Sequence, residues 1–321
     1  MTPELARHPE FFAGVSRFEH TSAGLVPCRF RPENNWAKDA AFMTSCPAGV
    51  RLRFHTDSSF VGMKVLLGES PFAFEHGFFS VTVNRAEPVT FDPPASYVSG
   101  QSYTWKLDLP KGEKELEIHL PSYRKVAIQA MEFSDGAVLL PLPSRKRTLF
   151  IGDSITQGYA AYPAFSYAAR LSRKRNRDFL NLAIGGAQMP LSLPDKLLEE
   201  IFDEAVIAFG TNDANRLRKT EDFESALNDT LAFFRKKPGI NLIVLSPVYF
   251  PNAVNTEKET CLLHYAEILK RTAPEYGAHF VNGGELIPHD SALFFDGCHP
   301  TNEGMRHFAE NLFRQLQTAG L

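Results

Sequence analysis

The sequence predicts an α/β protein of two domains: an all-β sandwich or jelly roll over residues 1–140, then a domain with a parallel sheet flanked by helices over residues 146–321. Two observations lead to this prediction. Between residues 50 and 133 apolar and polar residues alternate with period two, which is typical of half-buried antiparallel strands. Beyond residue 146, short unbroken apolar runs alternate with helix-length amphipathic segments, which is typical of parallel strands covered on both faces.

The composition is that of an ordinary globular protein. Of 321 residues, 44% are hydrophobic and 22% charged, which excludes a disordered or fibrous chain, and the formal net charge of -3 favours neither nucleic acid nor an anionic membrane. Charged side chains interrupt the N-terminal region, and no stretch approaches the roughly 18 consecutive apolar residues of a membrane span. We expect a cytoplasmic protein with no nucleic-acid or membrane partner.

The N-terminal domain is assigned from its alternating runs and its turns. Proline and glycine separate the runs, as in Asp92-Pro93-Pro94 and Pro110-Lys111-Gly112, and no helical pattern intervenes. The clearest strands are expected at residues 50–54, 81–83, 105–109 and 116–120. Residues 72–79 are rich in phenylalanine around Gly77, and we expect them to form an aromatic loop near an active-site rim.

The C-terminal domain begins after an extended, proline-containing connector with a basic cluster, within residues 136–147. Parallel strands are expected at residues 148–151, 179–184, 205–209, 242–245 and 279–281. The helix after the third strand is predicted to have Thr220 as its N-cap, with one apolar face formed by Phe223, Leu227, Leu231 and Phe234.

Polar residues that carry chemistry follow the strands of this second domain. Because ligands bind at the carboxyl ends of parallel strands, the loops there are candidates for an active site. The four loops are Gly152-Asp153-Ser154, the Asn181 to Gly186 segment, Gly210-Thr211-Asn212-Asp213, and Asp296-Gly297-Cys298-His299 near the C-terminus.

Three side chains in these loops supply the parts of a nucleophilic mechanism. A serine hydroxyl needs a base to take its proton, and a carboxylate that fixes the histidine tautomer improves that base. Ser154, His299 and Asp296 fill these roles. Candidate donors to the oxyanion of the tetrahedral intermediate are the Ser154 N–H, the Gly186 N–H and the Asn212 side-chain amide.

The four loops, in this order over about 170 residues, resemble the sequence blocks of the SGNH, or GDSL-type, hydrolase family. The family's blocks are G-D-S, a turn from Asn to Gly, G-x-N-D and D-x-x-H. The resemblance implies a flavodoxin-like catalytic domain in which Ser154 is the nucleophile, Asp296 and His299 complete the triad, and Ser154, Gly186 and Asn212 form the oxyanion hole. Gly185 competes with Gly186, which we prefer because it lies five residues after Asn181, as in the family's turn.

The resemblance implies a serine esterase that needs no metal or organic cofactor. Some members of the family, including carbohydrate acetylesterases and small-molecule acyltransferases, carry a β-sandwich before the catalytic domain. We therefore expect removal of a short acyl group, acetyl, from a carbohydrate or small-molecule ester. Two alternatives are an acyltransferase that passes the group to a small-molecule alcohol, and a non-catalytic binding protein on the same scaffold.

Competing interpretations of single residues favour structure over chemistry. An α/β-hydrolase elbow would need glycine where Thr156 stands. Asp213 is expected to be a structural hydrogen-bonding residue, and Cys298 a small buried side chain.

The basic run at residues 173–177 is expected to be a solvated helix end. The four cysteines are scattered without a C-x-x-C pair, so we expect reduced thiols and no metal. The sandwich is expected either to select substrate or to act as a passive buttress.

Overall fold

The computed structural model describes residues 8–70 and 79–321. Its N-terminal part is a sandwich of two antiparallel sheets with strand orders β1-β4-β9-β6-β7 and β2-β3-β10-β5-β8; β11 also pairs with β4. The strands are β1 (Phe12–Ala13), β2 (Arg17–Thr21), β3 (Gly24–Cys28), β4 (Arg51–Thr56), β5 (Phe60–Leu67), β6 (Phe79–Val83), β7 (Val89–Phe91), β8 (Ser102–Asp108), β9 (Lys114–His119), β10 (Val126–Phe133) and β11 (Leu139–Pro141).

The alternating pattern of the sequence places every second side chain of these strands between the two sheets. The resulting core is fully buried and includes Val50, Leu52, Phe54, Met63, Trp105 and Ile118. A short helix, α1 (Ala41–Ser45), precedes β4. Of the predicted aromatic loop, residues 72–78 lie outside the described residues, and Phe79 is a buried residue of β6.

The C-terminal part is a five-stranded parallel sheet in the order β13-β12-β14-β15-β16, which is the flavodoxin-like order. Its strands are β12 (Arg147–Gly152), β13 (Asp178–Asn181), β14 (Glu204–Ala208), β15 (Asn241–Leu245) and β16 (His279–Val281). The helices are α2 (Ser154–Gln157), α3 (Tyr167–Lys174), α4 (Thr211–Asn215), α5 (Thr220–Arg235), α6 (Glu257–Thr272) and α7 (Asn302–Thr318). The predicted fold class is confirmed.

Helices cover both faces of the parallel sheet. On one face α3 packs on α7, with the rings of Tyr167 and Phe308 stacked at a centroid distance of 4.0 Å. On the other face α5 packs on α6, where Phe223 stacks on Tyr265 at 4.1 Å. The predicted apolar face of α5 is fully buried. Within the described ranges, no helix is long and apolar enough to cross a membrane.

Two local predictions were wrong. The N-cap of α5 is Lys219, and Thr220 is the first helical residue without a capping side-chain hydrogen bond, because the extended backbone ends one residue earlier than expected. The basic run is a solvated helix end only in part: Lys174 is exposed in the last turn of α3, but two of the arginines have inward partners. Arg175 donates to the fully buried Glu204 at 2.9 Å, and Arg177 donates to Thr148 Oγ1 at 2.9 Å, since a buried carboxylate needs a charged partner.

The two domains are joined by buried polar contacts at strand β13. The Arg51 guanidinium, 1% exposed, donates to Asp178 at 2.8 Å and lies 3.9 Å from the centre of the Phe179 ring, and Arg53 donates to the same carboxylate. Removing one member of such a buried ion pair is strongly destabilising, because it leaves a buried charge without a partner. These contacts therefore hold the sandwich against the edge of the parallel sheet.

Candidate active site

Ser154, His299 and Asp296 form one chain of hydrogen bonds. The Ser154 hydroxyl lies 2.8 Å from His299 Nε2, and His299 Nδ1 lies 2.8 Å from Asp296 Oδ2. A carboxylate only accepts, so Nδ1 carries the proton and Nε2 is the atom that accepts from the serine. The arrangement is the one required for proton removal from a serine nucleophile.

The first loop holds Ser154 at the start of helix α2. The Asp153 side chain caps this helix by accepting from the Ile155 N–H at 3.0 Å. Gly152 lets the helix lie close to the sheet, because a Cβ at this position would be 2.5 Å from the carbonyl oxygen of Ala208. Ser154 is the first residue of this one-turn helix, and no described residue accepts from its N–H.

Burial raises the pKa of Asp153 to about 6, although the Ile155 N–H, the positive charge of His299 and the Thr211 hydroxyl all act to lower it. Asp153 is 3% exposed. The carboxylate next to Ser154 is therefore costly to ionise.

The last loop holds Asp296 and His299 on the same side of a turn. Asp296 Oδ1 accepts from the N–H groups of Cys298 at 3.1 Å and His299 at 2.8 Å, while Oδ2 is left for the imidazole. Gly297 has φ +77°, and a Cβ there would be 2.4 Å from Asn252 Oδ1, so only glycine fits the turn.

The pKa of Asp296 lies at about 2. Burial acts to raise it, but the hydrogen bonds from the imidazole and from the backbone N–H groups of Cys298 and His299, together with the charge of His299, outweigh burial. The carboxylate is ionised throughout the neutral range and can stabilise an imidazolium.

The second loop turns sharply at its two glycines. The Ala187 N–H donates to the Ile184 carbonyl at 3.1 Å, and Gly186 has φ +80°, as in a type II turn. The Gly185 N–H is occupied by Gln157 Oε1 at 2.7 Å, whereas no described residue accepts from the Gly186 N–H. The exposed Gly186 is therefore the better placed of the two as an oxyanion donor.

The third loop contacts the second through Asn212. One N–H of its half-buried side-chain amide donates to the Ala187 carbonyl at 3.0 Å, which leaves the other for a substrate oxygen. Asp213 is fully buried and accepts from the Met189 N–H at 3.1 Å and from Arg218 at 2.9 Å. Asp213 thus has the structural role expected for it.

The sandwich contacts the second loop directly. The buried guanidinium of Arg29 donates to the carbonyls of Asn181 at 2.9 Å and Ala183 at 2.6 Å, and the Trp36 indole donates to the carbonyl of Leu182 at 3.0 Å. These contacts join residues about 150 positions apart in the chain, which is why the sequence pattern did not show them.

Two tyrosines near the candidate triad were also not predicted from the sequence. The Tyr159 ring lies 4.4 Å, centre to centre, from the His299 ring, and Tyr123 of the sandwich packs against Tyr159 at 5.2 Å. The Tyr123 hydroxyl donates to the Ser154 carbonyl at 3.3 Å. Tyr159 lies only five residues after Ser154, so its place near the candidate site could have been expected from the sequence. No sequence pattern indicated that Tyr123 lies there.

A groove of about 820 Å³ opens beside Gly186. Its walls come from the segment at residues 36–40 and from the C-terminal domain. They combine polar side chains with apolar ones: Lys38, Asp39, Gln188, Ser192, Arg216 and Arg218 are polar, and Trp36, Met189 and Leu191 are among the apolar ones. The groove therefore offers a ligand both hydrogen-bonding groups and apolar surface.

Cys298 is not a competing nucleophile. Its side chain is half-buried and not fully buried as expected, and desolvation, followed by the nearby carboxylates of Asp153 and Asp296, raises the pKa of its thiol to about 12. The thiol stays protonated at neutral pH, and the protonated form is a poor nucleophile.

The fold and the site define the chain as a serine hydrolase with an SGNH-type α/β domain. Residues 150–307 match the model of the GDSL-like Lipase/Acylhydrolase family. No match was found among curated protein sequences.

Solved structures share the arrangement of both domains. A salicylyl-acyltransferase from a tetracycline biosynthetic pathway aligns with TM-score 0.78 and 20% identity over 97% of this chain and 94% of that one. A putative GDSL-like lipase from Bacteroides ovatus gives TM-score 0.76 and 18% identity over 96% and 94%. A family two carbohydrate esterase from Clostridium thermocellum, in complex with cellohexaose, gives TM-score 0.67 and 18% identity over 96% and 98%.

Proposed function

We propose that this serine hydrolase removes a short acyl group, acetyl, from a carbohydrate ester through an acyl-enzyme on Ser154. The observation that carries the proposal is the Ser154–His299–Asp296 chain of hydrogen bonds, with both distances at 2.8 Å. The helix N-terminus at Ser154 adds electrostatic support for an anionic intermediate.

Acylation begins when Ser154 Oγ attacks the ester carbonyl carbon and its proton passes to His299 Nε2. The imidazolium is stabilised by Asp296. The tetrahedral intermediate collapses, the bond to the alcohol oxygen breaks, and His299 returns the proton to the leaving alcohol.

Deacylation repeats the sequence with water. His299 Nε2 takes a proton from water as its oxygen attacks the acyl carbon, and the acid is released when Ser154 Oγ recovers a proton. In both acylation and deacylation the oxyanion accepts hydrogen bonds from the N–H groups of Ser154 and Gly186 and from the free N–H of Asn212.

The substrate class is supported by the groove beside Gly186. Its charged and amide side chains can hydrogen-bond the hydroxyl groups of an acetylated sugar, and its apolar side chains, such as Trp36, can pack against the faces of sugar rings. Similarity in fold to a carbohydrate esterase solved with cellohexaose agrees with this choice.

The test is an assay of acetylated mono- and oligosaccharides against p-nitrophenyl esters of increasing acyl length, with acetate release measured directly. We expect kcat/KM to fall as the acyl chain lengthens and to be higher for acetylated sugars than for p-nitrophenyl acetate. A preference for long acyl chains would contradict the proposal.

An acyltransferase is the second candidate, favoured by the fold similarity to the salicylyl-acyltransferase across both domains. Transfer and hydrolysis share the acyl-enzyme and differ only in whether an alcohol or water attacks it. Adding a small-molecule alcohol to the assay separates them: an acyltransferase forms a new ester at the expense of free acid, and an esterase continues to release free acid.

A further inference from the structure

Gln157 connects three parts of the molecule through one buried side-chain amide. It is 1% exposed and is the last residue of helix α2, whose first residue is Ser154. Its Nε2 donates to the carbonyl of Ser122, in the sandwich loop between β9 and β10, at 3.0 Å. Its Oε1 accepts from the Gly185 N–H at 2.7 Å.

The Ser122 carbonyl determines which way the amide faces. A carbonyl oxygen only accepts, so the NH₂ group must point toward Ser122 and the oxygen of the amide toward Gly185. Both ends of the side chain are satisfied in a buried setting where an unpaired group would be costly. Gln157 therefore has a single favourable orientation.

The bond to Gly185 acts on the neighbouring oxyanion donor. The direction of the Gly186 N–H depends on the central peptide of the Ile184–Ala187 turn. Because Gln157 lies on the same one-turn helix as Ser154, it ties the turn that carries one oxyanion donor to the helix that carries the other.

We propose that Gln157 is a positioning residue that holds the Gly186 N–H and the Ser154 N–H at a fixed spacing, with the sandwich loop at Ser122 as its anchor. This inference rests on the proposed esterase function. Donors that are already oriented need no rearrangement when the oxyanion forms, so the effect falls on the transition state and not on substrate binding. The sandwich would then be neither a passive buttress nor only a substrate-selecting surface.

The test variant is Gln157→Met, which keeps the length of the side chain and removes both hydrogen bonds. We expect kcat for p-nitrophenyl acetate to fall about 10-fold, with KM changed less than about twofold. Gln157→Glu keeps an acceptor for the Gly185 N–H, so it should recover part of the lost kcat.

Asn34 provides a matched control. Its side chain is also 1% exposed, donates across the domain boundary to Glu200 at 2.7 Å, and accepts from the Arg31 N–H at 2.8 Å. Asn34→Leu should lower the melting temperature at least as much as Gln157→Met and leave kcat unchanged.

The rate of inactivation by a fluorophosphonate gives a second readout, because its phosphoryl oxygen occupies the oxyanion hole. It should fall in parallel with kcat in Gln157→Met. Wild-type kcat and inactivation rate in folded Gln157→Met, or an equal loss in Asn34→Leu, would overturn the inference. If Gln157→Met does not fold, Gln157→Ala, which also removes both hydrogen bonds, is compared with Asn34→Leu in its place. A wild-type protein without esterase activity or labelling would instead overturn the proposed function.

Discussion

Replacing Asp296 by asparagine reverses the proton arrangement of the candidate triad. The Oδ1 position accepts from the N–H groups of Cys298 and His299 at 3.1 and 2.8 Å, so the asparagine oxygen must occupy it. The NH₂ group then occupies the Oδ2 position, 2.8 Å from His299 Nδ1, and can only donate. His299 is forced into the tautomer with its proton on Nε2, which can no longer accept from Ser154.

The expected loss in kcat is about 10⁴-fold, equivalent to about 5 kcal/mol of transition-state stabilisation. Because asparagine keeps both backbone hydrogen bonds of the turn, the melting temperature should change little. The assay is steady-state hydrolysis of p-nitrophenyl acetate between pH 6 and 9, with circular dichroism melting as the control. A folded Asp296→Asn enzyme with more than about a tenth of wild-type kcat would refute the reasoning.

Two further variants probe the loops around the nucleophile. Asn212→Ala removes an oxyanion donor, so kcat should fall about 10²–10³-fold with KM nearly unchanged in steady-state kinetics; a pure KM effect would place Asn212 in a substrate subsite. Asp153→Asn removes a buried carboxyl whose pKa is raised to about 6, against about 4 in an unfolded chain. The folded wild type holds this proton between pH 4 and 6, so its stability falls as pH rises through that window. The melting temperature of Asp153→Asn relative to wild type should therefore rise from pH 4 to pH 8, by the equivalent of up to about 3 kcal/mol. A difference that is independent of pH would contradict a raised pKa for Asp153.

The sequence predicted the architecture because burial patterns repeat along the chain. Strands covered on both faces, such as β14, read as unbroken apolar runs, and sandwich strands such as β9 alternate. The catalytic candidates were found because the carboxyl ends of parallel strands meet at one edge, so that loops as distant as those of Ser154 and His299 come into contact.

Contacts between distant polar residues could not be predicted. Arg29 donates to the second loop, and Glu204 accepts from Arg175 of the basic run. Each of these contacts requires a distant partner that no local sequence pattern specifies. The helix cap was misplaced for a different reason: threonine is a favoured N-cap, but the backbone of Lys219 already has the extended conformation of that position.

The central claim is that Ser154 forms the covalent intermediate, and labelling with a fluorophosphonate followed by peptide mass mapping tests it most directly. The account predicts one adduct per chain, on Ser154, with labelling abolished in a folded Ser154→Ala variant whose ester hydrolysis falls by several orders of magnitude. An adduct on another residue, or labelling of Ser154→Ala at the wild-type rate, would contradict it.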